Sequence, residues 1–271
     1  MAHCSLSIGL NFVDPAGYDG WDGKLAACEK DADDMFAIAN AQGYAAQVLK
    51  REKVTSAAVL AALANAAKTV KAGEHFFLTY SGHGGQVPDT NGDETDHYDE
   101  TWCLYDRMLL DDELYAMFGR FPAGARIFVL SDSCHSGSVT RDVFRPRNSE
   151  MRGEQAPKWL PLAKSEQIYN NRKAMFDSIQ QLAGPAEKGT IRACVLLISG
   201  CRDNEVSYDG PVNGAFTTQV LKAWNKGAFR GNYRQFQELV TDGLGGQQHP
   251  QYFLAGTVDK TFERMKPFVT R

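Results

Sequence analysis

Two stretches of the sequence decide the fold: FFLTYSGHGG at residues 76–85 and IFVLSDSCHSG at residues 127–137. Each begins with a short apolar run that is typical of a buried strand, and each continues into glycine and small polar residues. In an open parallel sheet, ligands bind beyond the carboxyl ends of the strands. The two stretches therefore predict a functional site at that edge, formed by His83 and Cys134.

The rest of the chain alternates between strand and helix patterns, which predicts crossover connections and an α/β fold with a mostly parallel sheet and helices on both faces. The apolar runs indicate strands that are buried on both faces, and these are Cys4–Leu10, Ala45–Leu49, Phe76–Tyr80, Ile127–Leu130, Cys194–Ile198 and Tyr252–Leu254. Helical spacing predicts the helices Lys24–Gln42, Ser56–Val70 with Thr55 as its cap, Asp111–Phe118, Lys164–Leu182, Phe216–Trp224 and Tyr233–Leu239.

The composition is that of an ordinary globular protein: 271 residues, 43% hydrophobic and 23% charged, with a net charge of −4. Without a basic field, we expect neither nucleic acid nor an anionic membrane as a partner. There is no apolar run long enough to span a bilayer and no pattern of a secretion signal near residue 1. The six cysteines show no close pairing, so we expect free thiols and a cytoplasmic location.

The segment 138–192 interrupts the alternation of strands and helices, and it lies within a single predicted domain that covers residues 1–271. Its part from Arg141 to Arg192 carries ten Lys and Arg against six Asp and Glu. Long segments of this kind are either functional or merely tolerated at the surface, and the sequence leaves both interpretations open.

Cys134 and His83 have the chemistry of a nucleophile and its base. A thiol that attacks a carbonyl needs an imidazole to take its proton, and it needs N–H groups for the oxyanion, here those of Gly84 and Cys134. His135 is a second candidate base, but side chains adjacent in sequence seldom face each other, which favours His83. A buried structural cysteine or histidine is the alternative for each residue taken alone. An α/β-hydrolase elbow is excluded, because the position two residues before Cys134 is not glycine.

Tyr80–Gly85 and Asp132–Gly137 together resemble the paired signature of the metacaspases and their bacterial relatives, the orthocaspases, within the caspase-like clan of cysteine peptidases. Further segments resemble other parts of that family, and these are Leu25–Met35, Gly92–Leu114, Ser199–Glu205 and Asn213–Thr217. Only the segment 138–192 has no counterpart that we can place.

This resemblance implies a caspase-like three-layer sandwich and cleavage of peptide bonds after Arg or Lys by a Cys–His dyad. It also implies a specificity pocket lined by Cys28, Asp31, Ser81 and Asp132. Two carboxylates in a partly desolvated pocket suit a cationic side chain. The expected partner is thus a peptide or protein substrate with Arg or Lys before the scissile bond, and the expected enzyme is a monomer.

The family further implies a calcium site, because many metacaspases need Ca²⁺ bound by acidic residues like those found here at Asp99, Glu100, Asp111 and Asp112. No cofactor is expected for the chemistry itself, and Ca²⁺ is expected only as an activator. A further ligand of the family falls at Arg141, which cannot serve, so a solvated acidic loop remains the alternative.

Activation by self-cleavage after a basic residue is also typical of the family. The available positions are Arg141, Arg145, Arg147, Arg152 and Lys158, and the sequence does not choose among them. A second hypothesis places part of this segment across the cleft as an inhibitory plug. A catalytically silent signalling or scaffold module is the alternative to an enzyme, although both residues of the dyad are present.

Overall fold

The computed structural model describes residues 3–92, 97–134, 156–183, 191–201, 207–246 and 248–270. Its central sheet has six strands in the order β2-β1-β3-β7-β8-β9. These strands are β1 (Cys4–Gly9), β2 (Ala45–Lys50), β3 (His75–Ser81), β7 (Arg126–Asp132), β8 (Cys194–Ser199) and β9 (Gln251–Gly256). All neighbouring pairs are parallel except β8 and β9. The mostly parallel sheet expected from the sequence is confirmed.

Helices lie on both faces of this sheet, as the fold class requires. They are α1 (Cys28–Ala41), α2 (Ser56–Thr69), α3 (Asp111–Phe118), α4 (Leu162–Asn171), α5 (Lys173–Ala183), α6 (Ala215–Trp224), α7 (Tyr233–Gly243) and α8 (Lys260–Glu263). Alternate residues of β3 pack into different cores, since Phe76 and Leu78 belong to the cluster that includes α2 and α3 whereas Phe77 belongs to the cluster that includes α1, α6 and α7. None of the described helices has the length and apolarity needed to cross a bilayer.

A second, antiparallel sheet of three strands was not predicted. It consists of β4 (Gly84–Pro88), β5 (Tyr98–Cys103) and β6 (Met108–Leu110). These strands are short, and β5 carries acidic residues, so the sequence shows no apolar run there. A separate core lies against this sheet and includes Leu160 and Ile168, which come from the interrupting segment.

Several predicted boundaries and burial patterns were wrong. Strands β2 and β9 are edge strands with largely half-exposed residues, because each has a neighbour on one side only. The predicted helix 24–42 begins at Cys28, since the residues before it are held in a loop by Asp209, whose carboxylate accepts hydrogen bonds from the Ala26 and Ala27 N–H groups. The predicted helix 164–182 is two helices separated at Arg172.

Candidate active site

His83 and Cys134 both lie at the carboxyl edge of the central sheet. Ser81 of β3 is paired with Asp132 of β7, and each candidate follows its paired residue by two positions. The two strands run in parallel, so their ends deliver both residues to the same place. The backbone connects the two strand ends there, because the Gly82 N–H donates to the Asp132 carbonyl at 3.4 Å.

A stretch of the chain itself, residues 156–160, lies across this edge in an extended conformation. The Lys158 carbonyl oxygen accepts hydrogen bonds from the N–H groups of Gly84 and Cys134, each at 3.1 Å. These are the two donors that the sequence analysis assigned to the oxyanion. On either side, the Lys158 N–H donates to the Ser207 carbonyl at 2.9 Å, and the Leu160 N–H donates to the Gly84 carbonyl at 2.7 Å. The segment therefore occupies the cleft as a peptide substrate would.

The thiol of Cys134 is fully buried beneath this segment. Its Sγ contacts the backbone of Ser207, with 3.4 Å to the carbonyl oxygen, and the residue clusters with Cys201, Trp159 and Tyr208. The nucleophile candidate thus lies next to the residue that follows Lys158 in the chain.

The imidazole of His83 is held by two contacts that the sequence did not indicate. Its Nε2 lies 3.0 Å from the Gly23 carbonyl oxygen, and its ring packs on Trp21 with the centroids 4.7 Å apart. A carbonyl only accepts hydrogen bonds, so Nε2 carries the proton of the neutral ring and Nδ1 is left as the basic nitrogen. Burial lowers the pKa of His83 to about 4, although hydrogen bonds to the backbone of Gly23 and Trp159 partly oppose that effect. The ring is therefore neutral at pH 7.

The side chain of Lys158 fills the predicted specificity pocket. Its Nζ lies 2.9 Å from Asp132 Oδ2, 3.2 Å from Asp31 Oδ2 and 3.0 Å from Ser81 Oγ, and the side chain is 0% exposed. Burial by itself lowers the pKa of an amine, but the nearby carboxylates outweigh it and hold the pKa of Lys158 well above its usual range. Burial raises the pKa of Asp31, and the Lys158 charge partly offsets that. Cys28 is buried beside Ser81, so all four predicted pocket residues are brought together.

Residues near the start of α6 complete the pocket, and the sequence analysis did not assign them a role. Thr217 Oγ1 donates to Asp132 Oδ2 at 2.8 Å, and Asn213 Nδ2 donates to Asp31 Oδ1 at 2.9 Å. A side chain at Gly214 would collide with Lys158 Nζ, so glycine keeps the pocket open. The segment 213–217 had been matched to the family, and that was the available signal.

A further missed residue, Asp209, connects the cleft to α1. Its backbone N–H donates to the Ala156 carbonyl at 2.8 Å, while its carboxylate accepts from the N–H groups just before α1. Because α1 carries Asp31, this contact fixes the pocket relative to the extended segment.

Three of the predicted calcium ligands form a separate cluster at the start of α3. Asp99, Asp111 and Asp112 each bring one carboxylate oxygen to within 4.8 Å of the others, and Asp99 and Asp112 are buried. Glu100 follows Asp99 in β5 and does not belong to this group of three; its carboxylate lies 3.5 Å from Gln86 Nε2. Three carboxylate oxygens that converge in this way are the donor type that hard cations prefer.

Of the predicted self-cleavage positions, the structure describes only Lys158. The other four, Arg141, Arg145, Arg147 and Arg152, lie outside the described residues, as does the second candidate base, His135.

Comparisons with known proteins identify the family of this chain. The family model of the caspase domain (Peptidase C14) matches residues 12–262. Metacaspase-1 of Cryptococcus neoformans and Metacaspase-1 of Coccidioides immitis are each 29% identical to this chain over 94% of its length. The chain covers 63% and 62% of those two relatives, so it spans less than two thirds of their length.

A solved structure is more similar still. The crystal structure of protein GSU0716 from Geobacter sulfurreducens superimposes with a TM-score of 0.91 at 44% sequence identity, and the match covers 100% of both chains. The fold expected from the sequence is confirmed by this neighbour. With the family match over most of its length, the chain belongs to the caspase domain family of cysteine peptidases and is metacaspase-like.

Proposed function

We propose that this chain is a cysteine endopeptidase that cleaves after Lys or Arg, and that its own Lys158–Trp159 bond is a substrate. One observation carries the proposal: the Lys158 carbonyl lies on the N–H groups of Gly84 and Cys134 while its ammonium lies between the carboxylates of Asp31 and Asp132. A segment without a role in the reaction would not be expected to place its carbonyl on two N–H donors and its ammonium between two carboxylates at the same time.

The residues around this bond supply a complete reaction. Nδ1 of His83 takes the proton of the Cys134 thiol, and the thiolate leaves its contact with Ser207 and attacks the Lys158 carbonyl carbon. The negative oxygen stays on the two N–H groups that already bind it. His83 then gives the proton to the Trp159 nitrogen as the peptide bond breaks. Water cleaves the resulting thioester, which forms the Lys158 carboxylate and restores the thiol.

Until the bond is cut, the same segment blocks the cleft. Lys158 occupies the pocket and its backbone occupies the oxyanion donors, so a second peptide has no access to either. The two hypotheses of the sequence analysis, self-cleavage and an inhibitory plug, thus describe one segment before and after a single reaction.

We further propose that Ca²⁺ regulates this step. The donor set fits the ion, because Asp99, Asp111 and Asp112 present convergent oxygens and two of the three carboxylates are buried. When bound, the ion would neutralise carboxylates that otherwise repel each other. These residues would thereby hold β5 against the start of α3, and the chemistry at Cys134 would proceed without the ion as a participant.

The test is to incubate the purified chain with Ca²⁺ or with a chelator and to measure intact masses, alongside hydrolysis of fluorogenic peptides that end in Arg or Lys. We expect a new amino terminus at Trp159, faster formation with Ca²⁺, and no cleavage by Cys134→Ala. The Lys158→Ala variant should stay intact at this bond, and it should hydrolyse peptides only slowly because the uncut backbone still covers the oxyanion donors. Cleavage by Cys134→Ala, or peptide hydrolysis by neither variant nor wild type, would overturn the proposal.

A further inference from the structure

A small cavity adjoins the pocket that holds the Lys158 ammonium, and Lys158 is not among the residues that line it. Its volume is about 10 Å³, which is room for about one water molecule. Asp31, Ser81 and Asp132, which contact the ammonium, also line this cavity. Most of the other lining side chains are apolar and come from α1, β7 and α6, among them Met35, Leu130, Phe216 and Val220.

Two threonines also line this cavity: the hydroxyl of Thr217 donates to Asp132, and the other threonine is Thr79. It precedes Ser81 by two positions in β3, so both side chains lie on the same face of the sheet. Thr79 is 3% exposed, and its Oγ1 has no hydrogen-bond partner among the residues that the structure describes. A buried hydroxyl without a partner is costly, so the cavity suits an occupant that can donate a hydrogen bond.

Lysine does not fill this space. The three N–H groups of the Lys158 ammonium are matched by three acceptors, on Asp31, Asp132 and Ser81, and Lys158 itself does not line the cavity. Arginine is longer and ends in a planar guanidinium with five donors. Its head can contact both carboxylates and still extend one nitrogen past them.

We propose that an arginine before the scissile bond extends one terminal nitrogen into this cavity and donates to Thr79 Oγ1, so that Thr79 determines how well arginine is accepted relative to lysine. This inference rests on the proposed function, because it concerns the substrate of the same pocket. The pocket then accepts both residues, because the two carboxylates bind the charge of either side chain. The Thr79 hydroxyl contacts only the longer arginine.

The decisive variant is Thr79→Val, which keeps the shape of the side chain and replaces the hydroxyl with a methyl group. In this variant one N–H group of the buried guanidinium has no acceptor, which costs free energy. We therefore expect kcat/KM for a peptide ending in Arg to fall about tenfold. The value for the matched Lys peptide should change less than about twofold, since lysine does not reach Thr79. Thr79→Ser restores the hydroxyl and should restore the wild-type ratio.

The chain offers a second test on its own cleavage site. We expect Lys158→Arg to be self-cleaved when Thr79 is present and to be cleaved about tenfold more slowly when it is combined with Thr79→Val. Thr79→Val with the native Lys158 should be cleaved at the wild-type rate. The thermal midpoint of Thr79→Val should not fall, because the substitution removes a buried group that has no partner.

The outcomes separate this inference from the proposed function. If the wild type hydrolyses both peptides and Thr79→Val leaves their ratio unchanged, or lowers both equally, the role of Thr79 is wrong while the peptidase stands. If the wild type hydrolyses neither peptide, the proposed function fails and this inference fails with it.

Discussion

The two ends of β3 carry two buried histidines with the same electrostatic character and different surroundings. His75 opens the strand and His83 follows its end, and burial lowers the pKa of each to about 4. His75 is enclosed by rings, with His3 at 5.3 Å and Phe262 at 5.4 Å between centroids. His83 instead lies beside the backbone of Trp159, in the cleft that also holds Cys134.

This difference shows that a lowered pKa does not by itself identify a catalytic base. Burial produces the same shift at both ends of the strand. The carboxyl end differs because the candidate nucleophile Cys134, two backbone N–H donors and the segment 156–160 converge there. Position in the sheet, more than titration, distinguishes the two residues.

The largest expected effect comes from replacing His83 and His75 in two separate variants. His83→Gln removes the proposed base, so peptide turnover and self-cleavage should both fall by at least about 100-fold. His75→Phe keeps a ring in the aromatic cluster and should leave both rates within about twofold of wild type at pH 7. Equal losses in the two variants would show that the comparison between the two ends is wrong.

The pH dependence of self-cleavage sharpens the same point. With a pKa of about 4, His83 stays neutral from pH 7 down to pH 5, so the rate should be nearly constant over that range. A histidine of ordinary pKa would lose about 30-fold over the same range. Stopped time courses of the His75→Phe variant, with near-UV circular dichroism at each pH, separate this effect from unfolding. A fall centred near pH 6.5 would contradict the assignment.

The smallest effect concerns the stability of the fold at the opposite end. The unfolded chain binds a proton at His75 near pH 6.5 and the folded chain only near pH 4, so this residue destabilises the fold as the pH falls between those values. The lost free energy of unfolding is about 2 kcal/mol between pH 7 and pH 5. His75→Phe should lower that slope in urea denaturation, and the part that remains belongs to His83, whose pKa is lowered in the same way. An unchanged slope would mean that His75 is not the responsible group.

The sequence predicted the central sheet well because its strands are continuous apolar runs buried from both sides, as at Phe76–Tyr80. It predicted neither β4 nor β5, where short polar strands pair only because tertiary contacts place them together. The motifs and the family resemblance predict His83, Cys134 and the four pocket residues, and the structure brings the four pocket residues together.

The remainder of the site depends on distances that no local pattern records. Lys158 is one of five basic residues that the sequence offers as cleavage positions, and nothing in the sequence separates it from the other four. Asp209 contacts Ala26 and Gly214 contacts Asp31, in each case across 183 positions of sequence, so only the fold reveals their roles.

The order of the sheet determines what a cut after Lys158 would do to the particle. Strand β8 lies downstream of that bond and is inserted between β7 and β9, while Leu160 is packed beside β4 in a core that both pieces share. After cleavage the two fragments would stay associated, because separating them would break the pairing between β7 and β8. The cleaved protein would therefore keep its hydrodynamic size. Gel filtration would not detect the cleavage, whereas separation under denaturing conditions would show two polypeptides.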